Sequence, residues 1–109
     1  MYWQGLVEHG VPLPTRQLEL RDERGRLIAR LDLGYADVRL FVELDGYASH
    51  SDRRSFGHDR RRQNAAVALD WVPLRFTDSD VRHFMRRTAH ITRTEVERRR
   101  SRLVTDRVA

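Results

Sequence analysis

Near the middle of the chain lies the segment Val38-Arg39-Leu40-Phe41-Val42-Glu43-Leu44-Asp45-Gly46, whose composition is typical of a β-strand. Because strand side chains alternate between two faces, Leu40, Val42 and Leu44 are expected to pack inward. Glu43 and Asp45 then share the opposite face. The segment therefore predicts a strand that ends with two carboxylates pointing the same way.

Two more strands are predicted before this one, joined as a hairpin. Residues 22–25 (Asp-Glu-Arg-Gly) have turn chemistry, and they separate an alternating run over residues 17–21 from another over residues 27–34. Asp32 lies on the polar face of the second run. If that run pairs with the middle strand, Asp32 joins the two carboxylates there, and three acidic side chains form a cluster.

The remaining segments predict helices around this sheet. A short helix over residues 2–9 ends at Gly10, and a longer helix covers residues 53–69. Residues 71–76 indicate a fourth strand, and Pro73 places it near a sheet edge because proline cannot donate a ladder hydrogen bond. With a final helix, this order predicts an α/β (α+β) fold: a mixed sheet flanked by helices, with a right-handed crossover between the third and fourth strands.

The final helix is expected to begin at Thr77, which can cap it, with Asp80 in the favourable first turn. Four residues at helical spacing are expected to face the core: Val81, Phe84, Thr88 and Ile91. Beyond about Thr94 this stripe fades into a basic segment, so an end that frays or binds anions is expected.

Composition and charge narrow the range of functions that the chain can have. The 109 residues fit one domain, and a net charge of +5 favours anionic partners, with nucleic acid first. All 21 basic residues are arginine, which suits paired phosphate contacts but also fits a GC-rich genome. The absence of cysteine excludes disulfides and thiolate metal sites. No apolar stretch approaches the ~20 residues that cross a bilayer, and no signal pattern begins the chain, so a cytoplasmic protein without membrane contact is expected.

The acidic residues predict metal-dependent phosphodiester hydrolysis. This reaction requires an aligned water and stabilised phosphoryl and leaving oxygens, and Mg²⁺ or Mn²⁺ held by a few carboxylates supplies much of this. Asp32, Glu43 and Asp45 are the candidate catalytic and metal-binding residues. His50, in the loop that follows, is a candidate proton relay. The alternative is that the carboxylates lie on a solvated sheet face beside arginines.

Basic residues at the start of the helix over residues 53–69 are candidates for contacts with the DNA backbone, because this helix begins where the catalytic loop ends. The candidate nucleic-acid-binding residues of this helix are Arg53, Arg54, Arg60, Arg61, Arg62, Gln63 and Asn64. A solvated helix face would show the same charge run. Zinc held by His50, His58 and a carboxylate is a further alternative. Four aromatic residues are expected in the core rather than as base-stacking platforms: Trp3, Trp71, Phe76 and Phe84.

In this order the motifs resemble those of the very-short-patch-repair-like endonuclease domains of the PD-(D/E)XK, or restriction-endonuclease-like, superfamily. The matching segments are residues 29–33, 42–46 with His50, 59–64 and 71–77, within a likeness over about residues 5–90. The resemblance implies a restriction-endonuclease-like α-β-β-β-α-β core with a C-terminal helix, and Mg²⁺-dependent cleavage of DNA in repair. It makes Asp32 the metal-binding aspartate of the second strand, Glu43 the acidic residue of the third, and His50 the loop histidine.

Two features depart from the family pattern. Asp45 stands where many superfamily members have a catalytic lysine, so His50, a nearby arginine or a second metal has to replace it. The first helix is short, and Glu8 does not match the acidic residue that this helix carries in the family. A separate or lost N-terminal DNA-binding domain and a homodimer are further expectations. The alternative functions are a non-catalytic nucleic-acid-binding module on the same fold and a small protein-interaction domain.

Overall fold

The computed structural model of the chain describes the backbone of residues 1–45 and 53–108, with side chains for residues 1–45 and 60–105. The elements in chain order are α1 (Tyr2–Glu8), β1 (Thr15–Arg21), β2 (Leu27–Tyr35), a 3-10 turn (Ala36–Val38), β3 (Leu40–Asp45), α2 (Arg53–Ala68), β4 (Val72–Thr77), α3 (Asp78–His83) and α4 (Met85–Val108). This order, α-β-β-β-α-β followed by helices, is the predicted one.

The four strands form one mixed sheet in the order β1-β2-β3-β4. The first two pairings are antiparallel, and β3 pairs with β4 in parallel. These pairings confirm the mixed sheet. They also place β4 at an edge, where the missing N–H of Pro73 is tolerated.

The hairpin between β1 and β2 closes through a turn built on Asp22. Its carboxylate accepts the backbone N–H groups of Arg24 and Arg26, each at 2.9 Å. Gly25 adopts φ +80°, the left-handed region that glycine enters without steric cost. The predicted turn is therefore confirmed, and residues within the turn itself supply its hydrogen bonds.

Helices cover both faces of the sheet. One apolar cluster packs residues of α1, α3 and α4 against the sheet, and Leu40 and Val42 belong to it. A second cluster joins Phe41 to Ala66 of α2 and to Trp71. Because successive residues of β3 enter different clusters, this strand is buried on both faces, which explains its nearly continuous apolar run. The strand begins at Leu40, two residues later than predicted, since the 3-10 turn precedes it.

Strand β2 changes its environment at Asp32. Ala29, Leu31 and Leu33 are all buried, but Leu31 belongs to the cluster under α2 and Leu33 to the cluster on the opposite face. In β1, Gln17 stands opposite Asp32, between the pairs that flank it, and has a left-handed φ of 52°. The backbone is irregular at this point. The exposed Asp32 therefore lies where the buried side of the hairpin changes from the α2 face of the sheet to the opposite face.

The C-terminal part differs from the prediction in one respect. The Thr77 hydroxyl accepts the N–H of Asp80 and the Asp80 carboxylate accepts that of Thr77, which confirms the cap. The helix is interrupted at Phe84, however, and restarts as α4, which continues to Val108 instead of fading near Thr94. The break shifts the helical phase, so Phe84 and Ile91 are exposed and the predicted core stripe is wrong at these two positions. The residues that α4 buries are Thr88, Ala89, Thr92 and Val96.

Candidate active site

Strands β2 and β3 bring Asp32 and Glu43 to the same place. Leu33 and Val42 are antiparallel partners, and one step further along this register Asp32 lies opposite Glu43. Both residues line a cavity of about 30 Å³ together with Arg30, Leu31 and Arg62. A space of this size accommodates a single water molecule or a small cation.

The two carboxylates differ in their exposure. Asp32 is exposed, whereas Glu43 is half-buried and directly follows the buried Val42. The last backbone pair of β2 and β3 at this end is Leu33 with Val42, directly beside the two acidic residues. The two carboxylates therefore line one small cavity just beyond the paired region, at the point where β2 changes face.

Asp45 lies at the exposed end of β3, opposite Thr77 in the parallel register of β4. Strand alternation gives Asp45 the same face as Glu43, but it does not line the cavity that Glu43 shares with Asp32. Across residues 1–45 and the described side chains of the C-terminal half, no group of three or more His, Cys, Asp and Glu residues could hold a metal ion. A cation here would have two carboxylate ligands, with water or substrate completing the shell, which is the usual habit of Mg²⁺.

Helix α2 contributes an arginine to this cavity. Arg62 is half-buried, and its Nη1 donates to the backbone carbonyl of Arg30 at 3.0 Å. Its guanidinium thus lies between β2 and α2, beside the carboxylates. The neighbouring Arg60, Arg61 and Asn64 are exposed on the outer surface of the helix, whereas Gln63 is buried.

A second arginine, Arg75 of β4, was not singled out from the sequence. Arg75 is the register partner of Glu43, and its side chain donates to Oε1 of Gln63. Its neighbour Phe76 belongs to the apolar cluster on the sheet face opposite α2, and its other neighbour, Leu74, packs against that cluster. Because strand side chains alternate, Arg75 projects toward α2. The predicted crossover from β3 to β4 contained the information needed to find Arg75. It implies that the two strands run parallel, so a basic residue on the α2 face of β4 lies beside the acidic residues of β3.

Some predicted site residues fall outside what the structure describes. His50 and Gly46 lie in the segment 46–52, which is not among the described residues. Arg53 and Arg54 belong to α2, but their side chains, like those of His58 and Asp59, are outside the described set. The described part of the site consists of two carboxylates, two arginines and a buried glutamine.

Comparison of the chain with protein-family models, with curated protein sequences and with solved structures found no match. The site is therefore interpreted from its own residues. Over the described ranges, 1–45 and 53–108, no helix combines the length and the apolar character needed to cross a bilayer.

Proposed function

We propose that the protein is a Mg²⁺-dependent DNA endonuclease of the very-short-patch-repair-like type, on a restriction-endonuclease-like core. The observation that carries this proposal is the small cavity shared by Asp32 and Glu43 from adjacent strands and Arg62 from the facing helix. Two carboxylates held side by side repel each other unless a cation compensates. A net charge of +5 on the chain as a whole favours a polyanionic substrate.

Asp32 and Glu43 are the proposed ligands of the cation. Their carboxylate oxygens suit a hard cation such as Mg²⁺ or Mn²⁺, and the cavity of about 30 Å³ fits a single ion. When bound, the ion supplies charge stabilisation on the phosphoryl oxygens and a more acidic water. Asp32 and Glu43 would hold that ion in the shared cavity, beside the position proposed for the scissile phosphate.

Arg62 is proposed to replace the lysine that superfamily members carry at the position of Asp45. A guanidinium donates two parallel hydrogen bonds to phosphoryl oxygens and keeps its charge throughout the reaction. Asp45, on the same face as Glu43 at the exposed end of β3, lies outside the shared cavity and is proposed only to add negative charge near the site. His50 remains the proposed donor to the leaving oxygen.

The outer surface of α2 is the proposed contact with the DNA backbone. Arg60 and Arg61 are exposed there, next to the cavity that Arg62 lines. Arg53 and Arg54 of the same helix would extend this contact toward its first turn. Binding through these residues depends strongly on salt, since each neutralised phosphate releases counterions.

A plasmid-nicking assay tests the proposal. Purified wild-type chain is incubated with supercoiled plasmid in Mg²⁺, in Mn²⁺ and in EDTA, beside Asp32→Asn. Glu23→Gln is the matched control, because Glu23 is an exposed carboxylate in the hairpin turn. Nicking that requires the metal and is lost only in Asp32→Asn is expected; nicking that survives EDTA or Asp32→Asn would refute the assignment.

The second candidate is a non-catalytic nucleic-acid-binding module, and one observation favours it. The Arg62 guanidinium already lies beside both carboxylates and can compensate their charge without a metal. In that case the chain shifts DNA in a salt-sensitive manner without cleaving it. Isothermal titration with Mn²⁺ separates the two functions, since only the nuclease takes up the ion.

A further inference from the structure

The break between α3 and α4 leaves an aromatic ring on the surface. Phe84 ends α3 with φ −133°, and 53% of it is exposed. Among the aromatic side chains that the structure describes, no other has this exposure: most are buried, and Trp3 is half-buried with the Arg16 guanidinium 3.8 Å from its ring centre. The Phe84 ring is therefore available for contact with a partner.

Cationic and imidazole side chains surround this ring. A surface cavity of about 450 Å³ is lined by His83, Phe84, Met85, Arg86, Arg87 and His90. Within residues 60–105, neither Arg86 nor Arg87 forms an ion pair, whereas Arg82 on the preceding turn is held by Asp78 at 2.6 Å. Two guanidinium groups thus face solvent beside an exposed ring, and no carboxylate lines their cavity.

Contacts with α3 and α1 fix the backbone around Phe84. Thr88 donates its hydroxyl proton to the carbonyl of Asp80 at 3.1 Å, which ties α4 to α3 across the break. Met85 packs against the apolar cluster, and its side chain fills the space beside Gly5 of α1. The exposed ring therefore stands on a fixed support, which lowers the entropic cost of binding.

We propose that this surface, formed by Phe84, Arg86 and Arg87 with the flanking His83 and His90, binds single-stranded nucleic acid. An unpaired base stacks on the Phe84 ring while the arginines contact the adjacent phosphates. The charge complementarity favours a polyanion, and the exposed ring favours one whose π-faces are accessible, which duplex bases are not.

This surface is separate from the site of Asp32 and Glu43. Val81 and Ala89, which anchor α3 and α4, belong to the apolar cluster on the sheet face opposite α2. The proposed strand-binding surface does not depend on nuclease activity. It would equally serve a chain that binds nucleic acid without cleaving it.

Fluorescence anisotropy with two labelled probes tests the proposal: an oligodeoxythymidine and an abasic oligomer of the same length and charge. Phe84→Ala is expected to weaken oligodeoxythymidine binding about 5- to 100-fold and to leave the abasic probe unaffected. Val104→Ala, another exposed apolar truncation on α4, is the matched control. Phe84→Trp is expected to keep the affinity, with tryptophan quenching that reports the stacked base.

The arginines give a second, independent readout. The double substitution Arg86→Gln and Arg87→Gln is expected to weaken both probes and to reduce the salt slope by about 1.4, because each phosphate contact on a single strand contributes about 0.7. Exposed Arg24→Gln in the hairpin turn, which removes one positive charge, is the control for the loss of surface charge. All measurements are made in EDTA, so that metal-dependent cleavage does not consume the probes and the affinities do not depend on the proposed nuclease activity.

Three outcomes would overturn the proposal. Equal affinity of the wild type for the oligodeoxythymidine and abasic probes would show that no base stacks. An unchanged affinity in Phe84→Ala, with its unfolding curve intact, would remove the ring from the contact. Self-association that Phe84→Ala abolishes, without any oligonucleotide binding, would assign the ring to a contact between copies of the chain.

Discussion

Asp32 of β2 lies opposite Glu43 of β3, one position beyond the paired residues Leu33 and Val42. Both side chains line the same small cavity, so both carboxylates can reach one ion. The same proximity is unfavourable for two negative charges without a cation. In the proposed nuclease, metal binding, catalysis and stability are therefore linked at this pair.

The first prediction separates a two-carboxylate site from a three-carboxylate site. Asp32→Asn is expected to lower metal-dependent plasmid nicking by about 100-fold or more, because it removes a proposed ligand. Asp45→Asn is expected to lower it less than about tenfold, since Asp45 lies outside the shared cavity and its exposed charge contributes at most about 1 kcal/mol. Initial nicking rates at saturating Mn²⁺ give the comparison. A larger effect at Asp45 would favour the cluster of three acids that the sequence predicts.

The second prediction concerns the arginine beside the carboxylates. Arg62→Ala is expected to reduce single-turnover cleavage about 100-fold while leaving Mn²⁺ uptake intact, because Arg62 is proposed to act on the phosphoryl group and not on the metal. Arg62→Lys should retain more activity than Arg62→Ala, since the positive charge is kept. Arg61→Ala, at the exposed neighbouring position of α2, is the control. Equal losses at both arginines would indicate general DNA binding instead.

The third prediction uses stability to detect the metal. Addition of Mg²⁺ at about 100 times its dissociation constant should stabilise the wild type by about 2.7 kcal/mol, which is a rise in Tm of roughly 10 °C for a domain of this size. Asp32→Asn should show no rise with Mg²⁺, because one of the two proposed ligands is removed. Glu23→Gln should behave as the wild type. Thermal melts in EDTA and in Mg²⁺ make the test, and an unaltered rise in Asp32→Asn would place the metal elsewhere.

The elements that sequence reasoning predicted well depend on local chemistry. The cap formed by Thr77 and Asp80, the turn at Asp22 and the edge position of Pro73 each follow from groups close together in the chain. The exposed Phe84 depends on a helix break that no proline or glycine marks. There the tertiary fit of Met85 against α1 competes with helical periodicity, and residue types alone do not reveal such a contact.

The candidate site was predictable in its carboxylates but not in Arg62. The pairing of β2 with β3 follows from two apolar runs joined by a short connection, and it brings Asp32 to the neighbourhood of Glu43. The position of Arg75 beside Glu43 follows from the parallel pairing of β3 with β4, whereas that of Arg62 depends on how α2 lies across the sheet, which long-range packing of Ala66 on Phe41 determines. A run of arginines looks the same in sequence whether each one faces solvent or the site.

The last prediction tests the contact between the two ends of the fold. The Tyr2 hydroxyl lies 2.8 Å from Oγ1 of Thr92, which donates its own proton to the carbonyl of Thr88, so Tyr2 is the donor in the pair. Burial raises the pKa of Tyr2 from 10.0 to about 12, although the hydrogen bond with Thr92 lowers it in part. Burial also raises the pKa of Tyr35. Each phenol therefore keeps its proton in the folded chain at a pH where the unfolded chain has lost it.

Between pH 10 and pH 12 the unfolded state of Tyr2 binds fewer protons than the folded state, so stability falls as the pH rises. Each of the two tyrosines contributes about 1.4 kcal/mol per pH unit to this slope. Tyr2→Phe should lower stability by about 1 kcal/mol at neutral pH through the lost hydrogen bond, and should halve the alkaline slope. Urea unfolding at pH 7, 9, 10.5 and 11.5 measures both effects, with the flat region below pH 9 as the internal reference. A slope that Tyr2→Phe leaves unchanged would mean that the Tyr2 hydroxyl is not buried against α4.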